Sequence, residues 1–292
     1  MAAAIPLAIY AGSPIYFIAD SSGRSIYVTA HPEVKFSVVI PSYNRATLLP
    51  RALDSILVQS LPACEIIVID DGSSDETARV LRDNYPQVRY YYQRHSGVSS
   101  ARNLGIRVSS EVWIALLDSD DCWHPDKLKC QARAIQENPG LRLVHTNELW
   151  IRNGVEVVQP PHLRKFGGSI FSNCLETCFI AASSTVIRRD IFADIGDFDE
   201  SLKACEDYDM WLRVSANEHV GFLEQPLVTR FAGHAGQLSA TKWLDSYRIR
   251  ALSKLIASGV LTSSQRREAD LTLQERTRIV ERGVGKRRQH AG

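Results

Sequence analysis

Residues 116–123, "LLDSDDCW", place Asp118, Asp120 and Asp121 directly behind an apolar run. Carboxylates this dense repel one another and are costly to bury, so they must hold something. A calcium loop starting at Asp118 would need glycine at its sixth position and glutamate at its twelfth. The chain has Trp123 and Lys129 there. A phosphatase with an aspartate nucleophile would read DxDx[TV] after its first strand, whereas "DSDDC" ends in Cys122 and follows the third apolar run. What remains is a DxD pair, Asp118-Ser119-Asp120, whose oxygens suit a divalent cation that also takes phosphate oxygens. A second acidic group, "CEDYD", supplies Glu206, Asp207 and Asp209. A carboxylate there could take a proton from an attacking hydroxyl, or could simply favour a helix N-terminus.

These groups need a scaffold. "FSVVI" (36–40), "EIIVID" (65–70), "RYYYQ" (89–93) and "VWIALLD" (112–118) read as strands. Most are apolar on both faces, as in a sheet covered on both sides. Helix-like stretches at 46–60, 74–85 and 98–110 lie between them, with Ser74 or Asp75 as a cap for the second. Strand alternating with helix implies right-handed βαβ units in an α/β sheet. Ligands of such sheets sit beyond the strands' carboxyl ends. Those ends carry "PSYNR", "DDGSSDET" and "DSDD". The second half predicts a strand at 141–152 with a turn at Asn153-Gly154, then strand, helix and turn over 183–200. A helix over 205–216 and a polar helical stretch to about 281 complete the pattern.

The bulk numbers exclude some classes. A net charge of +1 over 292 residues gives no electrostatic reason for a nucleic-acid partner. Six cysteines without a CxxC pair point to a reducing compartment, hence a cytoplasmic location. Cys174, Cys178, Cys205 and His145 could share a metal, but small buried side chains are the simpler use. The apolar opening over 1–34 is broken by Pro6, Gly12 and Pro14, and reads as an extension with a hairpin through "SIYVTA" rather than a leader or membrane span. The end, "GKRRQH", is a basic tail that could be solvated or could touch anionic headgroups.

"FSVVIPSYNR", "EIIVIDDGSSDET", "GVSSARNLGI", "LLDSDD" and "CEDYDMWLR", in this order, resemble the family 2 glycosyltransferases of GT-A fold, over roughly residues 35–235. The resemblance implies a Rossmann-like, mostly parallel sheet flanked by helices. It implies an inverting, metal-dependent transfer of one sugar from a nucleotide sugar, commonly a UDP-sugar, to a glycan or lipid-linked hydroxyl. The cofactor would be Mn²⁺ or Mg²⁺. Asp120 would be its principal ligand, with Asp118 on the metal or the ribose and Ser119 beside them. Pro41, Tyr43 and Arg45 would line the base and ribose pocket, Asp71 would meet the base, and Asp70 the base or ribose. Arg102 would reach the ribose or diphosphate, Asp207 would be the base, and Glu206 would orient the acceptor. His234, between Gly233 and Gly236, would be a third metal ligand or a diphosphate contact, or an ordinary hydrogen-bonded histidine. Asp121 would cap the next helix or back the pair, capping first. Trp211 and Arg213 would frame the acceptor or serve the core. The QxxRW pattern of processive synthases is absent.

The expected organisation is an N-terminal extension (1–34), a transferase domain (35–238) and a helical C-terminal extension with the basic tail (239–292). Within the domain, 35–121 would bind the nucleotide sugar and 122–238 the acceptor. Two other readings stay open. A sugar-phosphate nucleotidyltransferase would need a glycine-rich loop after the first strand, and "PSYNRATLL" has no glycine. A non-catalytic carbohydrate-binding protein would not need every carboxylate. Expected partners are the donor, the acceptor and, through the tail, a membrane surface.

Overall fold

A computed structural model describes residues 6–10, 13–19, 25–29, 33–233 and 244–290. Strands β1 (Pro6–Tyr10), β2 (Ser13–Ala19) and β3 (Ser25–Thr29) form a small antiparallel sheet, and β2–β3 is the hairpin expected there.

A second sheet of nine strands organises the rest. Its first part holds β4 (Phe36–Ser42), β5 (Glu65–Asp70), β6 (Arg89–Tyr92) and β7 (Trp113–Leu116), all parallel, in the order β6-β5-β4-β7. Helices α1 (Leu49–Leu57), α2 (Thr77–Asn84) and α3 (Val98–Val108) make the crossovers. Each residue of β4 is buried. Val38 and Ile40 pack in a cluster with Leu49, Leu53 and Ile56 of α1, while Val39 joins Ile106 of α3 on the opposite face. A Cβ on Gly105 would strike the Val39 side chain, so this glycine lets α3 lie close on the sheet. The chain moves from β4 to one side and returns to the other with β7. That reversal opens the crevice in which doubly wound sheets bind ligands.

Beyond β7 come β8 (Cys122–Trp123), α4 (Lys127–Glu137), β9 (Leu143–Arg152), β10 (Val155–Val157), α5 (Phe171–Glu176), β11 (Val186–Arg188), α6 (Asp190–Ile195), α7 (Glu206–Asn217) and β12 (Gly221–Ala232). The sheet continues as β7-β11-β9-β12-β8, with β11 antiparallel to both neighbours and β10 paired to β9. Asn153 and Gly154 have φ of 50° and 78°, the left-handed pair that an Asn-Gly hairpin turn requires.

Helices α8 (Leu244–Ala257) and α9 (Ser263–His290) close the fold. They are less separate than the sequence suggests. Ala251, Leu252, Leu255 and Ala269 share one core cluster with Tyr208, Trp211 and Leu212 of α7. Residues 285–290 of the basic tail are the last turns of α9. Among the described residues, no helix is long and apolar enough to cross a membrane.

Candidate active site

The crevice is walled on one side by the loops after β4 and β5. Asn44, left-handed at φ 52°, accepts the Ser74 and Asp75 N–H groups on its Oδ1 (2.8 and 3.3 Å), and its own N–H donates to Ser73 Oγ (2.8 Å). The Arg45 N–H donates to Thr77 Oγ1 at 3.1 Å. Asp70, buried, accepts the Ser73 N–H (2.8 Å) and the Tyr90 hydroxyl (2.8 Å). Asp71, also buried, accepts Gln93 Nε2 (2.6 Å) and the N–H groups of Ser96 and Gly97 (both 2.8 Å). Gly72 has φ 84°, and a Cβ there would lie 2.7 Å from His95 N. Both aspartates therefore hold the rim together from inside. Pro41 is buried in β4. The surface offered to a ligand is Tyr43, 43% exposed and stacked on His95 with centroids 4.1 Å apart.

The acidic loop after β7 forms the facing wall. The Asp118 N–H donates to Ser183 Oγ (3.1 Å), whose hydroxyl donates to Asp121 Oδ2 (2.6 Å). Asp121 Oδ1 accepts the Phe231 N–H at 3.3 Å, and Arg230 Nε lies 3.9 Å from Oδ2. Asp121 is thus no helix cap: α4 begins after Asp126, and Asp121 ties β12 to the DxD loop. Burial pushes its carboxyl up to about 8; Asp120 and Asp118 add to this, against Arg230 and Ser183. Ser119 is buried, and Asp120 is half-buried. Arg51 Nη2 donates to the Asp120 carbonyl (2.6 Å) while its guanidinium lies 3.5 Å from the Phe231 ring centroid. Arg51 so braces the loop from α1.

Arg102 joins the two acidic motifs. It is 3% exposed, and donates through Nη2 to Asp118 Oδ1 and through Nη1 to Glu206 Oε1, each at 2.7 Å. Burial opposes its charge, but the two carboxylates outweigh that and hold it protonated. Both terminal nitrogens are thereby engaged with protein carboxylates, where the sequence pointed to ribose or diphosphate. Glu206 is buried in the first turn of α7; burial first, then Asp207, raise its carboxyl above the usual range, with Arg102 pulling back. Asp207, beside it, is half-buried and accepts the Cys178 thiol on Oδ2 (2.9 Å) and the Tyr208 N–H on Oδ1 (2.7 Å).

Other predicted groups lie apart. Asp209 pairs with Arg213 (2.8 Å) and Lys254 (2.5 Å), and Arg213 also donates to the Ile195, Gly196 and Asp197 carbonyls. Trp211 is 1% exposed, edge-on to Phe198. Trp211 thus packs in the core, and Arg213 ties α7 to the loop after α6. His234 and Gly236 lie outside the described residues. The thiols of Cys178 and Cys205 go to separate partners, Asp207 and the Leu244 carbonyl, and Cys174 is buried in the core. His145 Nε2–H donates to the Phe166 carbonyl (3.1 Å); burial, then Lys165, push His145 down to about 3.

Next to Cys178 is a cavity of about 110 Å³, lined also by Trp150, Lys165, Thr177, Phe179 and Arg230. Behind it Glu148 bonds Trp150 Nε1 (2.8 Å), pairs with Lys165 and lies 3.4 Å from Arg230 Nη1. Burial works against its ionisation, but Lys165 and Arg230 prevail and bring Glu148 down to about 2. A larger groove of about 440 Å³ between α4 and β12 carries none of the motif carboxylates.

Among the described residues no three His, Cys, Asp or Glu side chains form a ready metal cage. Asp118, with Oδ1 on Arg102, keeps Oδ2 as a ligand atom, and Asp120 stands beside it. A pair of carboxylates is a donor set that suits Mg²⁺ or Mn²⁺, which commonly take one or two protein carboxylates plus phosphates. Ser183, Arg51 and Arg230 were invisible to motif reading. Each reaches the site from a distant element, and a lone serine or arginine carries no pattern in the sequence.

A model of "Glycosyl transferase family 2" matches residues 37–196. An uncharacterized glycosyltransferase of Rickettsia conorii is 31% identical over 199 residues, covering 67% of this chain and 32% of that protein. The matched stretch is thus about a third of that relative's length. Escherichia coli chondroitin synthase is 29% identical over 183 residues, 61% of this chain and 26% of its own. The crystal structure of Staphylococcus aureus TarS 1-349 in complex with UDP-GlcNAc superposes with a TM-score of 0.68 at 19% identity, covering 84% of this chain and 72% of that one. That likeness fixes the fold, a mixed α/β sheet flanked by helices as in GT-A glycosyltransferases.

Proposed function

The chain belongs to glycosyl transferase family 2, and from that premise we propose that it transfers one sugar, with inversion, from a UDP-sugar to an acceptor hydroxyl in cell-surface glycan or glycolipid synthesis. The observation that carries this reading is Arg102. By gripping Asp118 and Glu206 at once, it brings the DxD loop and the α7 carboxylates, far apart in sequence, to one crevice. TarS, which shares the fold, was crystallised in complex with UDP-GlcNAc, and this supports a UDP-sugar donor.

Tyr43 and His95 offer a flat surface to the nucleobase side, and the buried Asp70 and Asp71 keep that rim in place. Asp120 and Asp118 would hold Mn²⁺ or Mg²⁺, with His234 as a further candidate ligand. When bound, the cation supplies Lewis acidity to the diphosphate. Asp207 takes the proton of the acceptor hydroxyl as it attacks. Glu206 is held by Arg102 beside Asp207, which fixes the start of α7 against the DxD loop. The acceptor oxygen attacks the anomeric carbon in line as the bond from that carbon to the UDP phosphate oxygen breaks and UDP leaves, so one base suffices and no covalent nucleophile is needed. The acceptor, a glycan or lipid-linked sugar, enters from the side of Cys178 and the adjoining cavity. The basic end of α9 would lie on the inner face of the membrane.

The test uses the full chain, UDP-GlcNAc and Mn²⁺. Asp120→Ala should lower UDP release by about 100-fold or more and abolish the Mn²⁺-dependent rise in melting temperature on adding UDP. Asp207→Asn should keep that thermal shift and lose turnover by about 100-fold. Unchanged release in either variant removes the role given to that residue.

A further inference from the structure

Cys178 is the polar side chain nearest to Asp207 that the motifs do not explain. It lies just after α5, half-buried, on a loop that also carries Phe179 and Ile180 into the core. Its sulfur is 2.9 Å from Asp207 Oδ2 and 3.5 Å from the Ile180 carbonyl. It also lines the small cavity with Trp150, Thr177 and Arg230. The thiol therefore stands between that cavity and the carboxylate.

We propose that Cys178 is a positioning residue for sugar transfer: its S–H, donated to Asp207 Oδ2, aims the carboxylate at the acceptor hydroxyl. This rests on the reading of Asp207 as the base. A carboxylate on a single-bonded stem rotates unless its oxygens are held. The Tyr208 N–H holds Oδ1, and Cys178 holds Oδ2, so the plane is fixed at two points. Each carboxylate oxygen has a second lone pair, so the group remains a proton acceptor. A lysine here would bind a carboxylate more strongly and weaken its basicity. A thiol is a weak donor, and so orients at small cost to proton affinity.

The thiol is suited to donating and not to attack. Burial first, and the Asp207 carboxylate second, push it well above its ordinary range, with Arg230 acting the other way. The other charged or titratable groups near Asp207 are Glu206, itself paired with Arg102, and Cys205 at the helix start, whose sulfur turns to the Leu244 carbonyl.

The experiment measures steady-state UDP release from UDP-GlcNAc with Mn²⁺, water serving as acceptor, for Cys178→Ala, Cys178→Ser and Asp207→Asn, singly and combined. Cys178→Ala should lower kcat about 10-fold with the KM for donor unchanged, because orientation and not binding is lost. Cys178→Ser keeps a donor and should stay within about 3-fold of the parent kcat. In the Asp207→Asn background, Cys178→Ala should cost nothing further. If Asp207→Asn is inactive but Cys178→Ala turns over normally, the positioning role fails and the base stands. If Asp207→Asn turns over normally, both fall. A readout independent of turnover is the Cys178 S–H stretch in the infrared, isolated by subtracting the Cys178→Ala spectrum. It should move to higher frequency in Asp207→Ala, and an unmoved band overturns the contact.

Discussion

Lys127 opens α4 with none of its surface exposed, and its Nζ meets Gln131 Oε1 at 2.8 Å and the Trp123 ring at 4.0 Å. Among the described residues no carboxylate balances it, and burial pulls its pKa well below the ordinary lysine value. Folding thus disfavours the protonated form of this amine relative to the unfolded chain. The stabilising balance is present above the ordinary lysine range and is lost as pH falls below it. As pH rises toward the ordinary lysine value, wild-type protein should gain stability from this group, at up to about 1.4 kcal/mol per pH unit. Lys127→Met should show a slope flatter by that amount in urea unfolding. Equal slopes would mean that the amine is charged in the fold. Nothing in "HPDKLKC" marks Lys127 as buried, since lysine at a helix start normally faces water. Asp70 and Asp71 are a similar case. "DDGSSDET" shows two acids at a strand end, but whether they face a ligand or the chain's own donors depends on Tyr90 of β6 for Asp70 and on the loop after β6 for Asp71, neither of which the motif contains. The acidic chemistry is legible in residue types and spacing; its direction depends on partners distant in sequence.

At the scale of elements, the parallel strands and their helices were legible because burial on both faces leaves unbroken apolar runs, as β4 shows. The strand order was not, since each run is equally apolar and only packing decides that β7 lies beside β4. Arg102 connects three of these elements: α3, which carries it, the end of β7 through Asp118, and α7 through Glu206. Removing one member of a buried ionic network leaves the others without compensation, at a cost of about 3–5 kcal/mol. Arg102→Met should lose that much stability, and Arg102→Lys should recover little, because one ammonium cannot serve two carboxylates from a planar fork. The pH trend provides the check. Glu206 is already raised in the folded protein, so its folded form is favoured at low pH and loses that advantage as pH rises through its folded value. The Arg102→Met deficit, read from denaturant midpoints, should therefore be smaller near about pH 5 than near about pH 8. A deficit below about 1 kcal/mol, or one that grows on acidification, would show that Arg102 does not hold these elements together.

The whole molecule does not close where the family match ends. The match stops at residue 196, before α7, yet α7 contributes Glu206 and Asp207 to the crevice. Nor does the fold close before residue 239, where the sequence places the start of an extension. Tyr208, Trp211 and Leu212 of α7 are completed by Leu252 and Leu255 of α8, all nearly or fully buried. Polar straps run the same way: Lys254 bonds Asp199 at 2.7 Å and Asp209 at 2.5 Å, and Arg276 of α9 bonds Asp245 at 2.9 Å and reaches the Leu175 carbonyl at 3.3 Å. Burying one leucine contributes about 1.5–3 kcal/mol, so losing two or three such side chains removes an amount comparable to the roughly 5–15 kcal/mol by which a domain is stable. A chain cut after residue 240 should accordingly lose its cooperative thermal transition and its near-ultraviolet circular dichroism, and with them the UDP-dependent thermal shift. A point variant separates this from a generic truncation effect. Leu252→Ala, within the intact chain, should cost about 2–5 kcal/mol while leaving the crevice residues untouched. If the shortened chain melts at the parent temperature and still responds to UDP with Mn²⁺, then α8 and α9 are appendages, and the helix bearing the proposed base is held by the sheet alone.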